Sequence, residues 1–424
     1  MSLEAQKTSG AKSPARIWVL SELYYPEGSA TGYYLTKIAE GLAQERPVSV
    51  LCAQPTYSAR GTKAPWTEQR NGVAIRRCWG TTLDKDRLAF RTLNLLSISV
   101  SVLWRALRAV RRGEPILAVT NPPTLPFVAA MVARVKRSPY VVLVHDVYPD
   151  VLVAAGLSRP ESLGVRMVGA AHRWLYSHAS AVVVLGRDMQ ALVEGRAVER
   201  RGEVVIIPNW ADIDTITPAP RSTNPLLKEL HLEEKFVVQY SGNMGRTHDL
   251  ESIVECARRC ADEPDIHFLF LGWGAKEPWL RRTVAASHLS NITILPPRPR
   301  SEIPVSLNAC DLAVISFMPK MAGVSVPSRM YNVMAAGKPI IAVADPESEI
   351  ARLVREEALG WVVEPQRPDR LLAAVREARA DQASRASMGA RARCAAETKY
   401  SPESVMVKYN RLFDVLAAPQ RRSV

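Results

Sequence analysis

Residues 323–344 read GVSVPSRMYNVMAAGKPIIAVA, a small-residue loop that runs into a helix, a glycine stop and a strand. Pro327 and Ser328 fall at the first helical positions, where proline's missing N–H costs nothing and serine can cap. Gly337 suits the left-handed residue after a helix, and Pro339 keeps the helix from restarting. The run IIAVA at 340–344 reads as a short strand buried on both faces. A loop feeding a helix start presents backbone N–H groups and a positive dipole end, which suits a phosphate. The same residues also fit an ordinary loop–helix–strand unit of an α/β domain, so the rest of the chain has to decide.

Outward from that stretch the same rhythm recurs. Apolar runs predict strands at 16–22, 48–53, 73–79, 116–121, 140–146, 181–186 and 204–209, with helices at 32–45 and 166–179 between some of them. A polar, proline-bearing segment follows, NWADIDTITPAPRSTNP, and the rhythm restarts with strands at 236–242, 267–272, 292–297, 312–317, 340–344 and 360–365. Helices fit at 249–262, 276–287, 301–309, 327–336, 346–357, 367–380, 383–397 and 401–417. Short β-rich runs alternating with helices give a parallel sheet covered on both faces. The expected organisation is a disordered tail at 1–14, an α/β domain at 15–210, a hinge at 211–225, a second α/β domain at 226–398 and a terminal helix and tail at 399–424. Two doubly wound domains would face a central cleft at the C-terminal ends of their strands, where ligands of this architecture bind.

Charge is unevenly placed. Residues 1–210 hold 27 Lys and Arg against 16 Asp and Glu, a net of +11, and the remainder contributes only +2 of the total of +13. A basic half suits an anionic membrane or a phosphorylated substrate; no zinc-finger spacing or aromatic-basic RNA signature argues for nucleic acid. Residues 90–112, FRTLNLLSISVSVLWRALRAVRR, are too short an apolar run to span a bilayer but lead into Arg105, Arg108, Arg111 and Arg112. They fit a basic amphipathic helix at an anionic membrane surface, with Trp104 near the headgroups, or a buried helix whose polar end emerges. The six cysteines show no metal-like pairing and read as buried thiols of a reducing compartment. The N-terminus lacks the apolar core of a signal peptide. Two Asp-x-Asp pairs, Asp84/Asp86 and Asp212/Asp214, lack a further ligand-rich cluster and read as solvated loop aspartates, so no metal site is expected.

No GxGxxG follows the first strand and no GxxxxGK[ST] occurs anywhere, which removes the phosphate fingerprints of dinucleotide oxidoreductases and P-loop enzymes. What does occur, in order, is HDVYPD (145–150), IPNWAD (207–212), YSGNMGRTHDL (240–250), LGWGAK (271–276) and VPSRMYNVMAAGKPI (326–340). In that order and spacing the chain resembles glycosyltransferase family 4, in its bacterial polysaccharide and O-antigen branch, over about residues 15–415. The resemblance implies the GT-B fold of two Rossmann-like domains, a nucleotide-sugar donor held mainly by the C-terminal one and an acceptor by the N-terminal one. It also implies transfer with retention of configuration and without a bound metal or other cofactor.

Residue by residue, the strand end at Ser241–Gly242 lets a ligand approach the backbone, and Arg246 and His248 follow it. Family members carry an Arg and a Lys in this turn; Asn243 and His248 line up with them here, and Arg246 lies between as a candidate for fixed positive charge. The family's E-x7-E glutamates fall at Val324 and Asn332, neither acidic. Ser325, Val326, Pro327 and Ser328 keep the loop and helix start for the donor diphosphate, and Asn332 is a candidate for a donor hydroxyl. Arg329 or Lys338 could add charge, and Arg298 aligns with the loop that meets the base. From the first half, His145 is a candidate to orient the reacting groups, with Asp146 beside it and Asp150 as an acceptor base or a helix start. Glu27, Gly28 and Gly32, in the turn PEGSATG, are expected to face the diphosphate and the acceptor.

The expected activity is transfer of a sugar from a nucleotide sugar, UDP-linked, to a hydroxyl of a glycan or polyprenyl-diphosphate-linked acceptor. The expected location is cytoplasmic, peripheral at the inner face of the membrane. Two rivals stay open: a sugar-nucleotide epimerase on the same fold, and a catalytically silent membrane-associated scaffold.

Overall fold

The computed structural model describes residues 15–55, 62–83, 88–196 and 200–417. The chain divides into two compact units: Met1–Ala118, Thr124–Val141 and Tyr409–Val424 form the first, and Val119–Pro123 with Val142–Lys408 the second. The first eight strands are β1 (Ile17–Leu20), β2 (Val48–Cys52), β3 (Thr67–Arg70), β4 (Val73–Arg77), β5 (Ile116–Val119), β6 (Tyr140–Leu143), β7 (Ala181–Val184) and β8 (Glu203–Ile206). A six-stranded sheet holds β9 (Phe236–Asn243), β10 (Ile266–Trp273), β11 (Ile292–Leu295), β12 (Leu312–Ser316), β13 (Ile340–Val343) and β14 (Gly360–Val363).

In the first unit the strands run β3-β4-β2-β1-β5. β1, β2 and β5 are buried along their whole length, as expected of parallel strands covered on both faces. β3 alone is antiparallel, a TEQR edge that the sequence reading missed because it has no apolar alternation. It reaches β4 through Asn71 and Gly72, both at positive φ, the backbone that a two-residue hairpin demands. Behind this edge Arg77 is fully buried. Its guanidinium meets Glu68 at 2.6 Å and donates to the carbonyls of Pro65 and Tyr25, each at 2.7 Å. The last turns of the helix Pro402–Ala417 also belong to this unit, with Arg46 bonded to Asp414 at 2.9 Å.

In the second unit β7 and β8 pair in parallel, and the six-stranded sheet has the order β11-β10-β9-β12-β13-β14. The stretch around 323–344 forms as the sequence indicates, with one adjustment. The helix is Arg329–Ala335, and Ser328 precedes it in α conformation without a side-chain cap. Its C-terminus closes in a Schellman arrangement: Gly337 N–H donates to Met334 O (2.9 Å) and Lys338 N–H to Val333 O (3.2 Å), with Gly337 at φ +62°. The helix Gln382–Thr398 packs on this turn, and a Cβ at its Gly389 would lie 2.2 Å from the Gly337 carbonyl oxygen.

Residues 142–208 fall in the second unit, where Asp146, Val147, Arg187 and Asp188 bond to the stretches near 323 and 349. Five of the six cysteines are buried thiols and Cys394 is exposed, so only that one departs from the expected burial. Asp84 and Asp86 lie outside the described residues.

Removing Arg77 leaves Glu68 and two carbonyls without their donor. Arg77→Ala is expected to cost about 3–5 kcal/mol, read as a lower urea midpoint at unchanged m-value; an unfolding free energy within about 0.5 kcal/mol of wild type would refute the assignment.

Candidate active site

The site-bearing residues of the second unit gather where β9 and β10 end and where the 320–328 loop crosses β6's exit. β9 and β10 stay in register to their last residues, Gly242 opposite Gly272 and Asn243 opposite Trp273. A Cβ at Gly272 would stand 1.9 Å from the Gly242 oxygen, so only glycine lets the two backbones close. Gly242 has φ +136°, and a Cβ there would meet Arg329 Nη1 at 2.8 Å. The strand end is therefore bare backbone with a guanidinium laid against it.

The 320–328 loop is fixed from several sides. The Asp345 carboxylate accepts from the N–H groups of Lys320, Met321 and Ala322 at 2.8–3.1 Å. Asp188, buried, accepts from Gly323 and Glu349 N–H at 2.9 Å each and from Met189 N–H at 2.6 Å. Burial pushes the Asp188 carboxyl up and these three donors pull it back. Arg187 adds a fork onto Glu349 at 3.1–3.2 Å and reaches Glu356 at 2.8 Å.

On the β6 side, Thr120 Oγ1 accepts from His145 N–H at 3.1 Å and Asp146 N–H at 3.4 Å. Asp146 forms a β-bridge with Ser325 and a side-chain hydrogen bond to it, and Val147 N–H donates to Val324 O at 2.9 Å. Burial raises the Asp146 carboxyl, which the Ser325 bond offsets in part. The structure thus brings His145 and Asp146 to Ser325 and Val326. His145 Nε2 is shielded from solvent, and burial holds the imidazole down to about 4, so it is neutral near pH 7.

Other expected site residues carry different duties. His248 is buried, stacked on Phe317 (centroids 5.2 Å apart) and bonded through Nδ1 to Ser316 O at 2.8 Å. Burial first, and Arg329 second, push it down to about 3, so it supplies no cation. Arg298, in the segment expected to meet the base, has its guanidinium held by Glu229 (3.0 Å) and Glu302 (3.1 Å). Asn332 Oδ1 accepts from Asp212 N–H at 3.2 Å and pins the hinge rather than presenting that oxygen to a sugar. Asp212 pairs with Arg300 at 3.6 Å, which departs from the solvated aspartate expected there. Asp150 starts the helix Asp150–Ala154 and is ion-paired with Arg196, the helix-start alternative rather than a base. Ser328 makes no cap, Pro327 has no N–H, and the following helix has seven residues, which leaves little of the expected helix-start anion site. Lys338 donates to Asn308 O at 3.3 Å.

Asn243 and Arg246 are exposed on the turn. Glu27, Gly28 and Gly32 belong to the first unit: Glu27 is buried, Gly28 exposed, and Gly32 N–H meets the Ser29 cap at 3.3 Å. Sequence reasoning missed Thr120, Arg187 and Asp188. Their only signals were a threonine ending a strand and a GRD triplet following one.

The profile described as a glycosyl transferase 4-like domain matches residues 29–210, and that described as glycosyl transferases group 1 matches 226–394. The probable glycosyltransferase WbjE of Pseudomonas aeruginosa is 30% identical over 355 residues, 84% of this chain and 87% of that protein. The chain belongs to glycosyltransferase family 4. The putative colanic acid biosynthesis glycosyl transferase WcaI of Escherichia coli (strain K12) is 27% identical to this transferase over 378 residues, 86% of it and 92% of WcaI. Anabaena HepE, solved with UDP and glucose, matches with a TM-score of 0.73 at 16% identity, over 95% of this transferase and 100% of HepE. WaaG, a glycosyltransferase involved in lipopolysaccharide biosynthesis, gives 0.67 at 14% identity, over 95% and 100%. These likenesses show the fold of this transferase: GT-B, with two Rossmann-like α/β domains.

His248 yields a pH prediction. Its folded-state pKa lies below the unfolded value of about 6.5, so on acidification the unfolded chain takes up a proton that the folded chain refuses. Stability is therefore lost as pH falls below about 6.5. His248→Gln should flatten the fall in urea midpoint between about pH 6.5 and pH 4; an unchanged slope would show that His248 titrates normally in the fold.

Proposed function

We propose that this transferase moves a sugar from a UDP-linked donor to a hydroxyl of a glycan intermediate carried on a polyprenyl diphosphate. The transfer would proceed with retention and without a metal, in assembly of a bacterial cell-surface polysaccharide. The observation that carries the reading is the bridge between Asp146 and Ser325, which sets His145 beside the loop that ends at the Gly242 strand tip's arginine. The name of WcaI, a putative colanic acid biosynthesis glycosyl transferase, supports the polysaccharide setting, and the UDP and glucose bound by HepE support the donor.

In this mechanism the bond from the anomeric carbon to the donor phosphate oxygen breaks, and a bond from that carbon to the acceptor oxygen forms. The acceptor proton passes to the departing diphosphate. Neutral His145 orients a donor or acceptor hydroxyl through one hydrogen bond, and a neutral ring leaves no charge to be desolvated there. Asp146 is spent on holding Ser325, so it shapes the site rather than acting as base.

The helix Leu88–Ala109 supports a peripheral position at the inner face of the cytoplasmic membrane. Leu93, Leu96, Val100 and Trp104 are exposed at helical spacing, and with Trp79 and Leu83 they border an apolar groove of about 590 Å³. Arg108 lies over the Trp104 ring at 3.3 Å, and Arg111 and Arg112 are exposed next to it. No helix among the described residues is long and apolar enough to cross a membrane.

Two experiments test this reading. UDP at a hundredfold excess over its Kd should stabilise the protein by about 2.7 kcal/mol in a thermal scan, more than GDP or dTDP at the same concentration. UDP-sugar consumption should require a lipid-linked acceptor, whereas UDP-sugar conversion without an acceptor would replace transfer by epimerisation. Separately, reversing Arg108, Arg111 and Arg112 to glutamate should weaken partition to anionic vesicles on the order of a hundredfold; undiminished binding would remove the membrane from the proposal.

A further inference from the structure

We infer that Arg329, and not a residue of the 243–248 turn, is the cation that receives the departing nucleoside diphosphate; this rests on the transfer reading above. The turn where the family keeps its Arg and Lys has Asn243 and His248 here. Asn243 is neutral, and His248 is kept neutral by its buried place between Tyr240 and Phe317. Lys276 approaches the same turn, but its ammonium is bonded to Glu251 at 2.8 Å and to His248 O at 2.7 Å. Arg246 is exposed, and no contact among the described residues fixes its head.

Arg329 is different on each count. Its guanidinium lies 4.5 Å over the Tyr240 ring, Nη1 donates to Ser241 O at 3.3 Å, and Nη2 is 3.1 Å from His248 Nδ1. Nδ1 already faces the Ser316 carbonyl at 2.8 Å, so it carries the hydrogen of that bond and cannot also accept from Nη2. Of five N–H donors the protein therefore engages two, one on Ser241 O at a long distance and one on the Tyr240 hydroxyl, and none of the acceptors is charged. Among the described residues no carboxylate stands within ion-pairing distance of this half-buried head. A cation withdrawn from water without a counter-charge is costly unless an anion completes it. The head is also aimed by packing: Gly242 lacks the Cβ that would collide with it at 2.8 Å. A held, unneutralised guanidinium at a bare parallel-strand end is what stabilises charge as it develops on a leaving diphosphate. The charge has thus moved from the turn to the first residue of the helix Arg329–Ala335, and the exposed turn position opposite it has been left free to be neutral.

The test uses the full chain with UDP as probe in calorimetry and a UDP-sugar plus lipid-linked acceptor for turnover. Arg329→Ala should lower kcat about 10²–10³-fold and weaken UDP, and Arg329→Lys should recover part of both. In the Arg329→Ala background, Asn243→Arg returns a guanidinium to the turn and should recover turnover at least tenfold, which a merely structural loss of the Ser241 contact would not allow. Should Arg329→Ala fail to fold, Arg329→Gln carries the same comparison. If wild type binds UDP and Arg329→Gln binds and turns over equally well, the inference is overturned. It is equally overturned if Asn243→Arg rescues nothing. If wild type itself binds none of UDP, GDP and dTDP, the transfer reading falls, and Arg329 with it.

Discussion

The Asp188 carboxylate is the constraint on which the second unit depends. One buried acid side chain takes the N–H groups of Gly323, within the 320–328 loop, and Glu349, the first residue of a helix, and joins both to the chain that leaves β7. A buried carboxylate without donors would protonate or be expelled; with three it becomes a fixed point. From that point the loop runs past Asp146 and Val147, whose backbone bonds hold its other side, and delivers Arg329 to the tip of β9. The loop that would hold the donor is thus rigid by its supports, with little regular structure of its own.

Hydrophobic periodicity carried nearly all of the fold. Thirteen strands were legible because parallel strands buried on both faces are continuous apolar runs, and Gly337 was legible because a left-handed residue at a helix end selects glycine. The polar edge β3 was not legible, since half-exposed hairpin strands need not alternate. The helices Leu125–Lys136, Arg187–Arg196 and Pro225–Glu229 were not read from the sequence.

The site was readable by place and much less by role. His145, Asp146, Gly242 and the 325–328 loop lie where the motifs put them, because strand ends are where the chain leaves the core. Whether a charged or polar group is available for chemistry depends on its partners, and those come from distant sequence. Glu229 and Glu302 occupy Arg298, the hinge occupies Asn332, and the core occupies His248. Arg329 looked unremarkable in a row of residues; its interest lies in the counter-ion that it lacks.

The contact between Gly389 and Gly337 sets the position of a whole helix. The helix Gln382–Thr398 has scant apolar patterning, yet at Gly389 its backbone touches the Gly337 carbonyl, and four residues on Arg393 donates to the carbonyls of Ile216 (2.7 Å) and Ala335 (2.9 Å). A slip by one turn would put a side chain against that carbonyl and carry the arginine away from both acceptors. The helix is therefore keyed like a ratchet with a single notch. Insertions and deletions in this part of the chain should be confined to its ends, since any within 389–393 would unseat the turn that closes the helix Arg329–Ala335.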